Sequence, residues 1–181
     1  MKKAILIGLA ATVVACALLF IFVINPDAEA KQAEFGDLAA ACSGTGVPAA
    51  AAYPAAGEAR LISFAVQGDG FALSNHAPLE WKAAALDSTA LVLCLGEEKQ
   101  DLVQTCNYSE SKKIKRYARV QPVELRAARS GELVAQTDLV GAEPEKCDDK
   151  QIFRTDVVER TGDKVSSEQL KTWLADYVSG Q

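Results

Sequence analysis

"ALVLCLGEEKQDLVQTCNY", residues 90–108, sets two apolar runs on either side of a short charged segment, each run carrying a cysteine. Short apolar runs bounded by turn residues read as strands. "GEEKQ" then predicts a turn that folds "DLVQTCNY" back on "ALVLCL" and places Cys94 and Cys106 on neighbouring strands, within reach of a disulfide.

The same grammar extends in both directions. Upstream, "LISFAV" (61–66) is a strand and "GDG" (68–70) the first tight turn. Downstream, in "SKKIKRYARVQPVELRAARSGELVAQTDLVG" (111–141), Ile114, Ala118 and Val120 occupy even positions, whereas Val123, Leu125 and Ala127 occupy odd ones. Parity fixes which sheet face a side chain takes, so this change of phase predicts a bulge or kink at Gln121-Pro122, where proline suits an interrupted ladder. "ARSGEL" is a tight turn with Gly131 in the left-handed conformation, and "ELVAQTDLV" returns as the second strand of a hairpin.

The C-terminal "SSEQLKTWLADYVSG" begins with a capping box, Ser166 as N-cap and Gln169 three residues on. Leu170, Trp173, Leu174, Tyr177 and Val178 follow at helical spacing, the stripe of a helix laid on a sheet, and Gly180 can close it. The fold class is therefore α+β: a mostly antiparallel β-sheet with a C-terminal amphipathic helix.

Before this domain stands "MKKAILIGLAATVVACALLFIFVIN". Lys2 and Lys3 precede an uncharged apolar run from Ala4 to Ile24, about 21 residues, long enough for a transmembrane helix and longer than the h-region of a secretory signal. The two lysines on one flank, with Asp27 and Glu29 on the other, put the N-terminus inside and the bulk of the chain outside the cytoplasm. Two rival readings share that outcome. "AEA" at 28–30 resembles a signal-peptidase site, and "VVAC" at 13–16 resembles a lipobox that makes Cys16 a lipidation candidate. Residues 1–24 are thus read as an anchor or signal segment, 25–41 ("DAEAKQAEFGDLAAA" within them) as a helical juxtamembrane stalk, and 42–181 as an extracytoplasmic domain.

An oxidising compartment decides the cysteines. Cys42, Cys94, Cys106 and Cys147 are an even set, suited to two disulfides. If the hairpin pairs Cys94 with Cys106, Cys42 pairs with Cys147. No CxxC pair and no closely spaced ligand set is present, so neither redox catalysis nor metal binding is expected, and no cofactor.

The chain of 181 residues is 49% hydrophobic, 24% charged and carries a formal charge of −5, which suits one globular domain and argues against nucleic acid as a partner. Catalytic signatures are missing: there is no G-x-S-x-G elbow, and the lone His76 sits in the loop-like "SNHAPLE". Asn107-Tyr108-Ser109 matches a glycosylation sequon directly after a cysteine expected to be bridged. The basic cluster of Lys112, Lys113, Lys115, Arg116 and Arg119 stands out in an acidic protein. As a strand it places Lys113, Lys115, Tyr117 and Arg119 on one face, where Lys113, Lys115 and Arg119 are the candidates for binding an anionic polymer or lipid headgroups; edge lysines that discourage aggregation have the same pattern.

Taken together, "CSGTGVPAAAAY", "ALVLCLGEE", "TCNY", "IKRYARV", "LRAARSGELVAQTDLVG" and "LKTWLADYV" resemble a disulfide-containing extracytoplasmic domain of bacterial secreted and membrane-anchored proteins. The resemblance spans most of residues 42–179 and implies one disulfide-bearing domain; it implies no reaction, ligand or catalytic residue. The expectation is a single-pass cell-envelope protein whose outer domain is a binding or interaction module for another envelope protein or an anionic polymer. An envelope hydrolase is the rival, to be recognised by a cleft that gathers His76 and carboxylates.

Overall fold

The structure, a computed structural model, describes residues 26–54 and 57–179. The apolar run, Cys16 and Gly180 lie outside them. No helix among the described residues is long and apolar enough to cross a membrane. The chain divides into two units at Gly36/Asp37. Of the first, α1 (Pro26–Phe35) is described, an Ala- and Glu-containing helix of ten residues.

The second unit is α+β. Its elements are β1 (Arg60–Gln67), β2 (Gly70–Ser74), β3 (Thr89–Leu95), β4 (Lys99–Asn107), β5 (Lys113–Ala127), β6 (Leu133–Val140), β7 (Val157–Thr161) and α2 (Ser167–Val178), preceded by a 3-10 segment that ends at Ser43. The seven strands form one mixed sheet. β1–β2, β3–β5, β4–β5 and β5–β6 are antiparallel; β1–β3 and β5–β7 are parallel.

β5 organises the sheet. Val120 pairs both with Lys99 of β4 and with Val140 of β6, so those two strands lie on opposite edges of β5. Val123 likewise pairs with Leu95 of β3 and with Thr137 of β6. β3 and β4 therefore share one edge of β5, end to end, as two halves of one long strand.

This corrects the hairpin expected at "GEEKQ". The chain does not reverse there; it reverses at Tyr108–Lys112, where the Tyr108 N–H donates to the Lys112 carbonyl. The apolar run "TALVLCL" is buried at every residue, and it gains more by lying against the apolar second half of β5 than against the largely exposed "KQDLVQTCN".

The cysteine pairing changes with it. Cys94 and Cys106 are twelve residues apart along one strand edge, about 40 Å at strand rise, far beyond disulfide reach. Instead Cys42 bonds Cys94 and Cys106 bonds Cys147, with Cα separations of 5.6 and 5.9 Å. All four cysteines are bridged as expected for a domain folded in an oxidising compartment, but with the other partners.

The change of phase in β5 has a related origin. Even residues are buried through Val120 and odd residues from Val123, yet β5 and β6 pair in step across Val120, Gln121, Pro122 and Val123. The expected bulge is not in β5. It lies opposite, where Gly96, Glu97 and Glu98 face only Gln121 and Pro122. Pro122 has no N–H to give and sits where that edge is interrupted, its carbonyl accepting from Gly96 at 2.9 Å.

The flip records a change of cover. On one face, Leu170, Leu174 and Val178 of α2 cluster with Leu61, Leu91, Leu93, Leu95, Val123 and Leu125. On the other, Cys42 from the 3-10 segment bonds Cys94, beside Phe64. That second face continues along the first half of β5 as Ile114, Arg116, Ala118 and Val120, all buried. The irregular loop 141–156 meets it through Arg116 and Cys106.

α2 has the expected capping box, with the Ser166 hydroxyl accepting from the Gln169 N–H and the Gln169 side chain reaching back to the Ser166 N–H. Gly68 (φ +59°) and Gly131 (φ +75°) take the left-handed conformation at the two expected turns.

Candidate functional site

Two features of the helix-covered face adjoin each other: an open patch of sheet and a cleft at the end of α2.

The open patch follows from strand alternation. With Ile114, Arg116 and Ala118 turned to the covered side, Lys113, Lys115, Tyr117 and Arg119 stand in a half-exposed row on the other, about 7 Å apart. Their cross-strand neighbours are Asn107, Thr105, Leu102 and Gln100 on β4, with Val157, Glu159 and Thr161 opposite Lys113, Lys115 and Tyr117 on β7. None of these residues is buried; Leu102 is 55% and Val157 45% exposed. A sheet patch normally covered by a second layer is bare here.

The five cations of the cluster have separate fates. Lys112 pairs with Asp156 at 3.1 Å. Arg116 turns to the other face, 4% exposed, and donates to the carbonyls of Pro144 (2.5 Å) and Glu145 (2.7 Å) and to Gln104 (2.5 Å). Arg119 pairs with Glu98 at 2.5 Å and donates to the Gly162 carbonyl. Lys113 and Lys115 make no ion pair among the described residues. Of the three candidate anion-binding residues, two present unpaired ammonium groups and the third is committed to a carboxylate.

The cleft opens where the bulge of the β3–β4 edge meets the N-terminus of α2. Leu95, Val123, Leu139 and Leu170 contribute its apolar lining, and His76, Glu98, Gln121, Lys164, Ser166 and Ser167 its polar one. The enclosed part is about 110 Å³, below the usual size of a small-molecule site. A shallower lobe of about 400 Å³ shares His76, Leu95, Glu98 and Gln121 and adds Glu97.

Sequence reasoning named His76 but not this neighbourhood, because Glu97 and Glu98 reach it only through the bulge. The cleft thus collects a histidine and two carboxylates, the feature by which a hydrolase was to be recognised. Three of its polar groups, however, already have structural partners. Glu98 holds Arg119. Gln121 donates to the carbonyls of Gly96 and Pro122. The Ser166 hydroxyl caps α2 and bonds Gln169, so it is not paired with a general base as a nucleophile requires. Among the described residues no group of three His, Cys, Asp or Glu side chains is placed to hold a metal ion.

Comparison of the chain with family models, curated proteins and solved structures yields no match. The resemblance drawn from the sequence therefore extends only as far as a disulfide-containing domain.

Proposed function

We propose that the protein is a membrane-anchored interaction module of the bacterial cell envelope, its N-terminal apolar run spanning the membrane once and its disulfide-bonded domain outside the cytoplasm. The observation that carries the proposal is the open sheet patch. α2 protects only part of its face, and beyond it Leu102, Tyr117 and Val157 lie uncovered beside Lys113 and Lys115. Exposed apolar residues grouped on a rigid sheet and interleaved with charge are the composition of an interface. Another envelope protein or an anionic polymer is the partner class that meets both the apolar and the cationic groups.

The test is site-specific photocrosslinking in intact cells, with a benzophenone side chain at Leu102 or Val157 and, as a control, at the exposed Leu79. A discrete adduct from the first two sites and none from the third supports the patch as the interface. Adducts independent of position, or none at all, reject it. Retention in the membrane fraction after a high-salt wash tests the anchor separately; a soluble form beginning at Lys31 would show cleavage instead.

The second reading, an envelope hydrolase, rests on the gathering of His76, Glu97 and Glu98 around one cleft. Activity towards envelope polymers that His76→Ala abolishes would establish it.

A further inference from the structure

The two disulfides occupy different environments. Cys42–Cys94 lies in the core: both residues are buried, and Cys94 sits in a strand with no exposed residue. Cys106–Cys147 joins β4, whose other residues are nearly all exposed, to a loop in which Cys147 itself is half-exposed. We propose that Cys106–Cys147 is a reducible latch, a site of thiol–disulfide exchange for an extracytoplasmic dithiol, whose opening releases loop 141–156 and uncovers the second face of β4, β5 and β7.

The argument has two parts. The first is access. Exchange requires a thiolate to approach a sulfur in line with the bond, and the half-exposed Cys147 offers that approach where the core bridge does not. One sulfur of the dithiol attacks Cys147 Sγ, the bond to Cys106 Sγ breaks, and Cys106 leaves as a thiolate and takes up a proton. The second thiol of the reductant then displaces Cys147 Sγ, so that two electrons pass to the bridge and the reductant leaves as a disulfide.

The second part is what the bridge holds. Loop 141–156 has no helix or strand. Besides the bridge, its side-chain ties are the donations from Arg116 to the Pro144 and Glu145 carbonyls, those from Arg160 to Lys146, Asp148 and Gln151, the Tyr108 hydroxyl on the Asp148 carbonyl, the ion pairs Lys112–Asp156, Arg116–Glu143 and Arg160–Glu145, and the contacts of Tyr108 and Lys112 with the Phe153 ring. The Arg116 guanidinium is buried; most of the other ties are at the surface, where each is worth little. Arg116, which holds the loop, stands between the buried Ile114 and Ala118 on that face. Opening turns a patch bare on one face into one bare on both. The core cluster under α2 and the Cys42–Cys94 bridge include no residue of the loop.

The experiment treats the full chain in detergent with dithiothreitol, a dithiol, under native conditions. It alkylates free thiols at intervals, maps the labelled peptides by mass spectrometry and follows amide hydrogen exchange in parallel. The expected result is labelling of Cys106 and Cys147 at least about tenfold faster than Cys42 and Cys94, with faster exchange confined to residues 143–156 and the strand segments beneath them. A Cys106→Ser/Cys147→Ser double variant should show that exchange pattern without reductant. Equal labelling of the two bridges, earlier labelling of Cys42–Cys94, or opening of Cys106–Cys147 with no change in exchange over 143–156 would each overturn the latch.

Discussion

Arg116 donates its Nε proton to the backbone carbonyl of Glu145 at 2.7 Å, and this bond crosses from the first half of β5 to a loop with no regular structure of its own. With the Nη donations to Pro144 and Gln104, the guanidinium supplies the polar contacts of an otherwise apolar stretch formed by Ile114, Ala118 and Val120. The fork geometry makes this an arginine site, since an ammonium cannot satisfy three acceptors in one plane.

Arg116→Met is therefore expected to destabilise the domain by about 2–4 kcal/mol, because two carbonyls and an amide lose a charged donor in a buried site. Arg116→Lys should recover only part of this loss. Urea unfolding followed by tryptophan fluorescence measures both; a change within error for Arg116→Met would show that water replaces the guanidinium at no cost.

The disulfide connectivity makes a quantitative prediction that differs from the one the sequence implied. A Cys42–Cys147 bridge would close a loop of about a hundred residues and outweigh a short hairpin bridge. The observed separations are 52 and 41 residues, so loop entropy assigns each bridge about 4 kcal/mol. The difference must come from packing. Cys42→Ala/Cys94→Ala leaves a void in the core and should cost about 1–2 kcal/mol more than Cys106→Ala/Cys147→Ala. Peptide mapping of unreduced protein should recover Cys42 linked to Cys94, and Cys106 linked to Cys147.

Ser166 separates capping from chemistry. Ser166→Ala removes the acceptor for the Gln169 N–H and should cost about 1 kcal/mol, whereas Ser166→Asp keeps an N-cap acceptor and should restore stability. Thermal denaturation of the two variants is the measurement. A hydrolytic activity that disappears in the stable Ser166→Asp protein would reassign the hydroxyl to catalysis.

Glu80 and Lys171 meet at 2.6 Å, across from the 3-10 turn Leu79–Trp81 to α2. The hydrogen bond from the Lys171 ammonium holds the Glu80 carboxyl below its usual value of 4.5, and the same bond raises Lys171 above 10.5. A carboxyl lowered by folding stabilises the native state above its unfolded pKa and loses that contribution as pH falls through the folded one. For the raised lysine the contribution is present below its unfolded pKa and lost as pH rises through the folded one. Lys171→Met should move the Glu80 midpoint up towards the ordinary carboxylate range in a carboxyl NMR titration. An unmoved midpoint would show that the ion pair does not persist in solution.

The local features of this protein were determined by its sequence. Ser166 and Gln169 mark the start of α2 because a capping box needs only residues three apart. Gly68 and Gly131 mark the turns because left-handed backbone is costly for other residues. The alternation of Ile114, Ala118 and Val120, then Val123, Leu125 and Ala127, showed which side of β5 is buried and where that side changes. It also placed Lys113, Lys115 and Arg119 in one row.

What the sequence left open was which segments meet. Cys94 and Cys106 stand in one stretch that could turn at Gly96 or continue to Tyr108, and no local signal separates the two. The choice is made by burial: the wholly buried β3 lies against the second half of β5 and beneath α2, and β4 continues along the same edge. That one choice fixes both disulfides, brings Glu97 and Glu98 to His76, and leaves the row from Lys113 to Arg119 uncovered. Periodicity is a property of neighbours in the chain, whereas strand partners are selected by the apolar area that the whole fold can remove from water, and only the tertiary structure sums that area.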